Sequence, residues 1–313
     1  MNFTEVTKNM KHHLSEVEHT ILKSDKKNSM QTVALAPGME LSYYTMYTDN
    51  LSLHHQPLSH ILEINYCRAG RMGWKMGNGL SVYLGPGDYT IHTMETCADS
   101  ELTLPNNYYD GLTLYIDLDQ LTSQPPELLK DTGITGELLF NKYCRKDSFS
   151  SFAGNEETNA IFDGFYDQPE RLRSSYQMLK SLELLLYLTK AEPASEKQLD
   201  EYQAEQVALI RQIHEQLLSN LDRRITIDEL SKEYLINTTT LKNVFKAVYG
   251  TSIAAHVKEH RMEHAAQMLL ETSTSIAAIA NAVGYDSQSK FTSAFKDAYQ
   301  VTPREYRKSH SAH

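Results

Sequence analysis

The chain has little cysteine. Its three residues, Cys67, Cys97 and Cys144, are widely spaced and odd in number, which argues against a disulfide framework or a paired-cysteine metal site and points to a reducing compartment. No run of about eighteen apolar residues occurs, so no transmembrane helix is expected. The opening MNFTEVTKNMKHHLSEVEHTILKS lacks the apolar core of a signal peptide. The expectation is a cytoplasmic protein without a membrane partner. A basic excess is missing too: 30 Lys and Arg stand against 40 Asp and Glu. A wholly acidic chain would bind nucleic acid poorly, because that affinity draws on displaced phosphate counterions. The acid is unevenly placed, however. Residues 1–206 hold 17 basic and 29 acidic residues, whereas residues 207–313 hold 13 and 11. Only the last third escapes the exclusion, and only a local basic patch can serve it.

A length of 313 residues allows two or three domains with their own cores. Residues 1–30 are polar, with Met10, Leu14, Val17 and Ile21 at three- and four-residue steps, the pattern of an amphipathic helix lying on the next domain. From residue 40 the period becomes two. Met72, Trp74 and Met76, then Leu80, Val82 and Leu84, then Leu112, Leu114 and Ile116 alternate with more polar neighbours, as half-buried antiparallel strands do. Gly77-Asn78-Gly79 and Pro86-Gly87-Asp88 supply turns. Short strands with regular turns predict a small sandwich or barrel. Gly70 and the stretch Leu84-Gly-Pro-Gly-Asp88 resemble the cupin-like sensing domain of many transcription regulators. Enzymatic cupins hold a metal with a clustered HxH pair. The strand Ile61-Leu-Glu-Ile-Asn-Tyr-Cys67 has none, so no metal, cofactor or catalytic set is expected. Many tyrosines and the single Trp carry a polar tip on an apolar body, which suits a ligand pocket as well as an ordinary core. Tyr43, Tyr66, Arg68, Trp74 and His92 are the candidate effector-binding residues, Arg68 because it flanks Gly70 at a strand end, where it can meet an anion.

Beyond Pro125-Pro126, residues 155–168 and 169–190 read as helices. Leu172, Tyr176, Leu179, Leu182 and Leu186 form a stripe at helical spacing that either the strand domain or a second subunit must cover. Residues 191–206, charged and containing Pro193, read as a linker.

From residue 207 one pattern occurs twice. Ile227, Leu230 and Ser231 recur 49 residues later as Ile276, Ile279 and Ala280, and Leu241, Phe245 and Tyr249 recur 50 residues later as Phe291, Phe295 and Tyr299. Each copy reads as helix, turn and helix, and a duplicated unit of this kind is most often a reader of DNA. Thr226 to Glu229 is a capping-box pattern, and Asn237 and Ser275 are capping residues. On the second helix of the first copy, Leu241, Phe245 and Val248 share the inward face, leaving Thr239, Lys242, Asn243 and Lys246 outside. In the second copy Phe291, Phe295 and Ala298 are expected inside, with Gln288, Ser289, Lys290, Thr292, Ser293 and Lys296 outside. Lys suits guanine or phosphate, Asn and Gln suit adenine, and Ser or Thr serves either base or phosphate. A helix from about Ile253 to Leu270 separates the copies by roughly 27 Å, near the rise of one DNA turn.

The residues IANAVGYDSQSKFTSAFKDAYQVTPREYRK, from Ile279 to Lys308, resemble the signature of the AraC/XylS family of bacterial transcription regulators, and the apolar spacing is kept over residues 207–308. The resemblance implies a multidomain α+β chain: an N-terminal arm and cupin-like β-barrel over 1–120, a helical dimerisation region over 121–190, the linker 191–206, and an all-α double helix-turn-helix domain over 207–313. It implies double-stranded DNA as partner, a homodimer, a small-molecule effector, and RNA polymerase as a further partner if the protein is an activator. Leu235 and Gln300 stand where the family often has Gly, which implies a different backbone there or a modest energetic cost. The competing readings are a cupin enzyme fused to a DNA-binding tail, which the missing His pair opposes, and a DNA-repair methyltransferase, which would need an activated Cys.

Overall fold

The computed structural model describes residues 10, 14–15, 17–23, 25–54, 57–144 and 150–310. The chain divides into two compact units, residues 1–203 and 204–313.

Among the described residues the first unit has eleven strands in two antiparallel sheets. One has the order β1 (Ser29–Ala36), β2 (Met39–Met46), β9 (Tyr109–Asp117), β4 (Ile61–Gly70), β7 (Tyr89–Thr93), β10 (Ser150–Phe152). The other runs β11 (Tyr202–Gln203), β6 (Leu80–Leu84), β5 (Met72–Lys75), β8 (Asp99–Thr103), β3 (Asn50–His54). The expected barrel is therefore not closed: among the described residues no ladder joins the two sheets. The chain passes between them at sharp turns. At Gly70, between β4 and β5, φ is +77° and a Cβ would lie 2.1 Å from the Tyr108 carbonyl oxygen, so only glycine fits. At the Gly85–Asp88 turn, between β6 and β7, the Gly85 N–H donates to the Asp88 carboxylate at 2.7 Å.

Alternation along β4 sorts its side chains. Ile61 and Cys67 face the second sheet in one core, with Met46, Met72, Trp74, Val82 and Leu102. Leu62, Ile64 and Tyr66 face the opposite way into a second core, with helices α1 (Leu118–Ser123), α2 (Gly136–Tyr143), α3 (Glu156–Asp163) and α4 (Glu170–Lys190). The large sheet is thus covered on both faces. This is why β9 is buried almost throughout, although its alternation predicted a half-buried strand. Met10, Leu14, Val17 and Ile21, the stripe expected of the arm, are all buried in the core between the sheets.

Helix α4 buries Gln177, Ser181, Leu184, Leu185 and Leu188. Of the two covers expected for its stripe, the strand domain supplies little: Leu172, Tyr176, Leu179 and Leu186 are exposed, and only Leu182 is buried. Residues 196–203, read as linker, run along the first unit instead. The Ala153 N–H donates to the Lys197 carbonyl, the Leu199 N–H donates to the Ser151 carbonyl, and β11 pairs with β6.

Among the described residues the second unit has seven helices: α5 (Ala204–Leu218), α6 (Ile227–Glu233), α7 (Thr238–Tyr249), α8 (Ile253–Glu271), α9 (Ile276–Ala282), α10 (Gln288–Tyr299) and α11 (Pro303–His310). Its termini follow local chemistry. Thr226 and Glu229 form the capping box, and the Asn237 and Ser275 side chains accept from the N–H groups of Thr240 and Ala278. Thr302-Pro303 lies beyond the end of α10 and also starts α11, where Glu305 completes a second reciprocal cap with Thr302. Tyr306 returns to pack edge-on against Phe295 at 5.4 Å. The backbone at Leu235 and Gln300 is left-handed, with φ of +52° and +62°, so the turns keep the conformation that glycine favours and the larger residues bear its cost.

Candidate functional site

The polar faces of α7 and α10 form one candidate site. Leu241, Val244, Phe245 and Val248 lock α7 into the domain core. With that face fixed, Thr239, Lys242, Asn243 and Lys246 are exposed. In α10, Phe291, Ala294 and Phe295 are buried. Ala298, expected inside, is exposed, because Tyr299 and Tyr306 close that end of the core around Phe295. Gln288, Ser289, Lys290, Ser293 and Lys296 are exposed and Thr292 is half-buried. All ten candidate residues therefore lie on helix faces turned away from the core. Helix α8, 19 residues long, is about 28 Å long and joins the two helix-turn-helix copies.

Sequence reasoning missed what lies between the two helix-turn-helix copies. A groove of about 490 Å³ is lined by Arg223, Arg224, Lys242, Lys258 and Arg261, with Asp228 the acidic member. Arg261 belongs to the scaffold as well. Its guanidinium donates to the Arg223 carbonyl at 2.8 Å and the Gly284 carbonyl at 3.4 Å, tying the approach to the first helix-turn-helix to the turn of the second. These cations are scattered over the sequence, so no local charge run announces them.

The second candidate site is a cavity of about 60 Å³ between the two sheets. Its apolar wall includes Val17, Ile21, Met46, Trp74 and Leu102, and its polar wall Glu63, Asn65, Cys97, Thr113 and Tyr115. The polar wall is a hydrogen-bond network. Thr113 donates to the Asn65 carbonyl oxygen at 2.6 Å, and the Asn65 amide lies 3.0 Å from His92 Nε2. His92 Nδ1 sits 3.1 Å from the Thr93 carbonyl, which only an N–H can satisfy, so Nε2 accepts from Asn65. The Cys97 thiol donates to Glu63 at 3.3 Å. Burial pushes the Glu63 carboxyl up to about 7, against the lowering effect of the Cys97 hydrogen bond. Glu63, His92 and Cys97 do converge, but both His92 nitrogens are already engaged within the wall.

Of the five candidate effector residues, Trp74 lines the cavity and His92 stands behind its polar wall. The other three face the helical layer or its edge. Tyr43 donates to the Phe165 carbonyl and receives the Gln177 amide, Tyr66 stacks on Phe162 at 4.1 Å, and Arg68 pairs with Asp110 and covers the Tyr166 ring. The structure does not bring the five together. A signal for the missed residues exists: Glu63 and Asn65 are two polar residues on one face of an otherwise apolar strand. The three thiols are buried. Burial pushes Cys67 and Cys144 up to about 12 and Cys97 well above its ordinary value, the opposite of an activated nucleophile.

A helix-turn-helix domain family profile matches residues 230–309. The chain is 38% identical over 77 residues to the HTH-type transcriptional regulator ExsA of Pseudomonas aeruginosa, covering 25% of this chain and 28% of that protein. It is 33% identical over 100 residues to the xylose operon regulatory protein of Escherichia coli, covering 32% of this chain and 25% of that one. It thus matches less than a third of these relatives' length. The C-terminal domain of AraT, a response regulator from Geobacillus stearothermophilus, is 30% identical with a TM-score of 0.32, over 32% of this chain and 84% of that one. The doubled copies and the capped turns lie in the same stretch that the profile matches, so residues 230–309 form a helix-turn-helix domain similar in sequence to those of transcription regulators.

Proposed function

We propose that the protein is a sequence-specific DNA-binding transcription regulator that acts in the cytoplasm and has no enzymatic activity of its own. The observation that carries this reading is the pairing of two helices, α7 and α10, each locked by buried aromatics and each presenting a polar outer face. The α8 spacing matches successive major grooves on one side of a duplex. The basic groove between the heads meets the intervening phosphates, which position the protein without reading sequence. The first head, with Lys242, Asn243 and Lys246, supplies more of the base discrimination, and the second mainly fixes register.

The cavity beside Trp74 and Glu63 is the effector site in this reading. Small-molecule sites usually enclose roughly 300–1,000 Å³, so an effector must displace Val17 and Ile21 of the arm to enter, and that displacement is the signal. The exposed stripe of α4 pairs two copies, and RNA polymerase is a partner where the protein activates. Footprinting on promoter DNA tests the core of the proposal. Two protected stretches one helical turn apart are expected. Asn243→Ala should relax base preference locally, whereas Lys246→Ala should weaken all sequences and lower the salt slope by about 1. Absence of any protected sequence at moderate salt would refute it.

A further inference from the structure

Three histidines in the second unit converge away from the reading faces. His256 and His260 stand four residues apart on one face of α8, and His214 approaches from α5. The Nε2 atoms of His214 and His256 are 2.9 Å apart, and those of His256 and His260 are 3.2 Å apart. All three rings offer a nitrogen within 4.8 Å of the others. His260 Nδ1 lies 3.0 Å from the Glu263 carboxylate.

Hydrogen bonding among the rings does not account for this. Glu263 accepts, so His260 carries its proton on Nδ1 and a lone pair on Nε2. His256 can then donate its single Nε2 proton toward His260 or accept one from His214, but not both. One of the two short contacts is then left without a well-aligned hydrogen bond. An extra proton on His260 only aims two donors at one acceptor. A metal cation satisfies all three lone pairs together. With Zn–N bonds of about 2.0–2.1 Å, tetrahedral ligands lie roughly 3.3 Å from one another, close to the spacings found here. The Glu263–His260 pair is the carboxylate–imidazole arrangement that orients a metal-binding ring.

We propose that His214, His256 and His260 bind a divalent transition-metal ion of the zinc class, with Glu263 as the positioning carboxylate. Imidazole nitrogens suit zinc, copper and nickel better than calcium or magnesium. The site is tied to the first reading helix. Tyr249 of α7 stacks on His214 at 4.2 Å, and Phe245 of α7 packs edge-on to His256 at 5.5 Å. A bound ion would clamp α5 and α8 behind α7 and set how firmly the first head is held.

The test is calorimetric titration of Zn2+ into the full chain, free of any affinity tag, at neutral pH, with Co2+ absorption as a second readout. One ion per chain and a tetrahedral cobalt spectrum are expected for the wild type and for His92→Gln, which removes a histidine of the other cluster. His260→Gln should lose the ion while keeping the wild-type circular dichroism, since this side chain is 31% exposed and can be replaced without opening the core. Glu263→Gln should bind 10–100-fold more weakly. Stoichiometric binding that survives His260→Gln, binding lost only in His92→Gln, or no binding by the wild type would each overturn the proposal.

Discussion

Leu235 is 93% exposed and its φ is +52°, so it bears the steric cost of a left-handed backbone with no packing in return. Gln300 is in the same state, with only an amide contact to the Asp297 carbonyl. The left-handed conformation costs a residue with a Cβ roughly 1–2 kcal/mol, and glycine gives back about 0.5–1 kcal/mol as unfolded-state entropy. Leu235→Gly and Gln300→Gly should therefore each stabilise the second unit by about 0.5–1 kcal/mol, read as a higher melting temperature. A lower one would mean that these side chains make contacts worth more than the strain. Glu63 makes a prediction of opposite character. Its carboxyl, buried beside Cys97 and His92, is raised from 4.5 to about 7. Between those values the folded state holds more protons than the unfolded one, so stability falls as pH rises through that window. Glu63→Gln should flatten the denaturation profile of the first unit between pH 5 and 8. An unchanged slope would place the titration elsewhere.

At the scale of elements, α4 is the informative helix. One side packs into the first unit through Leu184, Leu185 and Leu188, while Leu172, Tyr176, Leu179 and Leu186 remain in solvent. Single exposed apolar residues need no explanation, but a contiguous stripe marks an interaction surface. In the regulator reading this is the dimer seam. Leu179→Glu combined with Leu186→Glu should convert a dimer to a monomer in analytical ultracentrifugation, with the fold retained because neither side chain is in the core. Identical sedimentation of variant and wild type would exclude α4 as the seam. The faces of helices α7 and α10 were legible in the sequence, whereas for α4 the sequence left open what covers its stripe. Their apolar positions fall on one face, so period and burial agree. On α4 they fall on nearly every face, and period alone does not say which side the protein covers.

For the molecule as a whole, both units place a cluster of polar groups at the junction of separate elements: Glu63, Asn65 and Cys97 between the sheets, and His214, His256 and His260 between α5 and α8. In the proposals above, the first cluster is where an effector would act on the arm, and the second is where an ion would act on helix α7. Neither cluster is complete within a local motif, since Cys97 is 34 residues from Glu63 and His214 is 42 from His256. The acidic balance of residues 1–206 and the mild basic excess after them are consistent with the proposal that phosphate contacts are made by the second unit.

The sequence by itself determined the frame of the second unit: the repeat, the caps at Thr226, Asn237 and Ser275, the stop at Thr302-Pro303, and the inner and outer faces of α7 and, apart from Ala298, of α10. Capping bonds and helical periodicity are settled within a few residues along the chain. Only the tertiary structure decided that the sheets stay open and that the large sheet is covered on both sides. The same holds for which tyrosines face the helices and which residues meet in the cavity and the histidine cluster. Those outcomes depend on strand register and helix packing between residues tens of positions apart. A period-two pattern fixes which side chains share a face, but not what that face will meet.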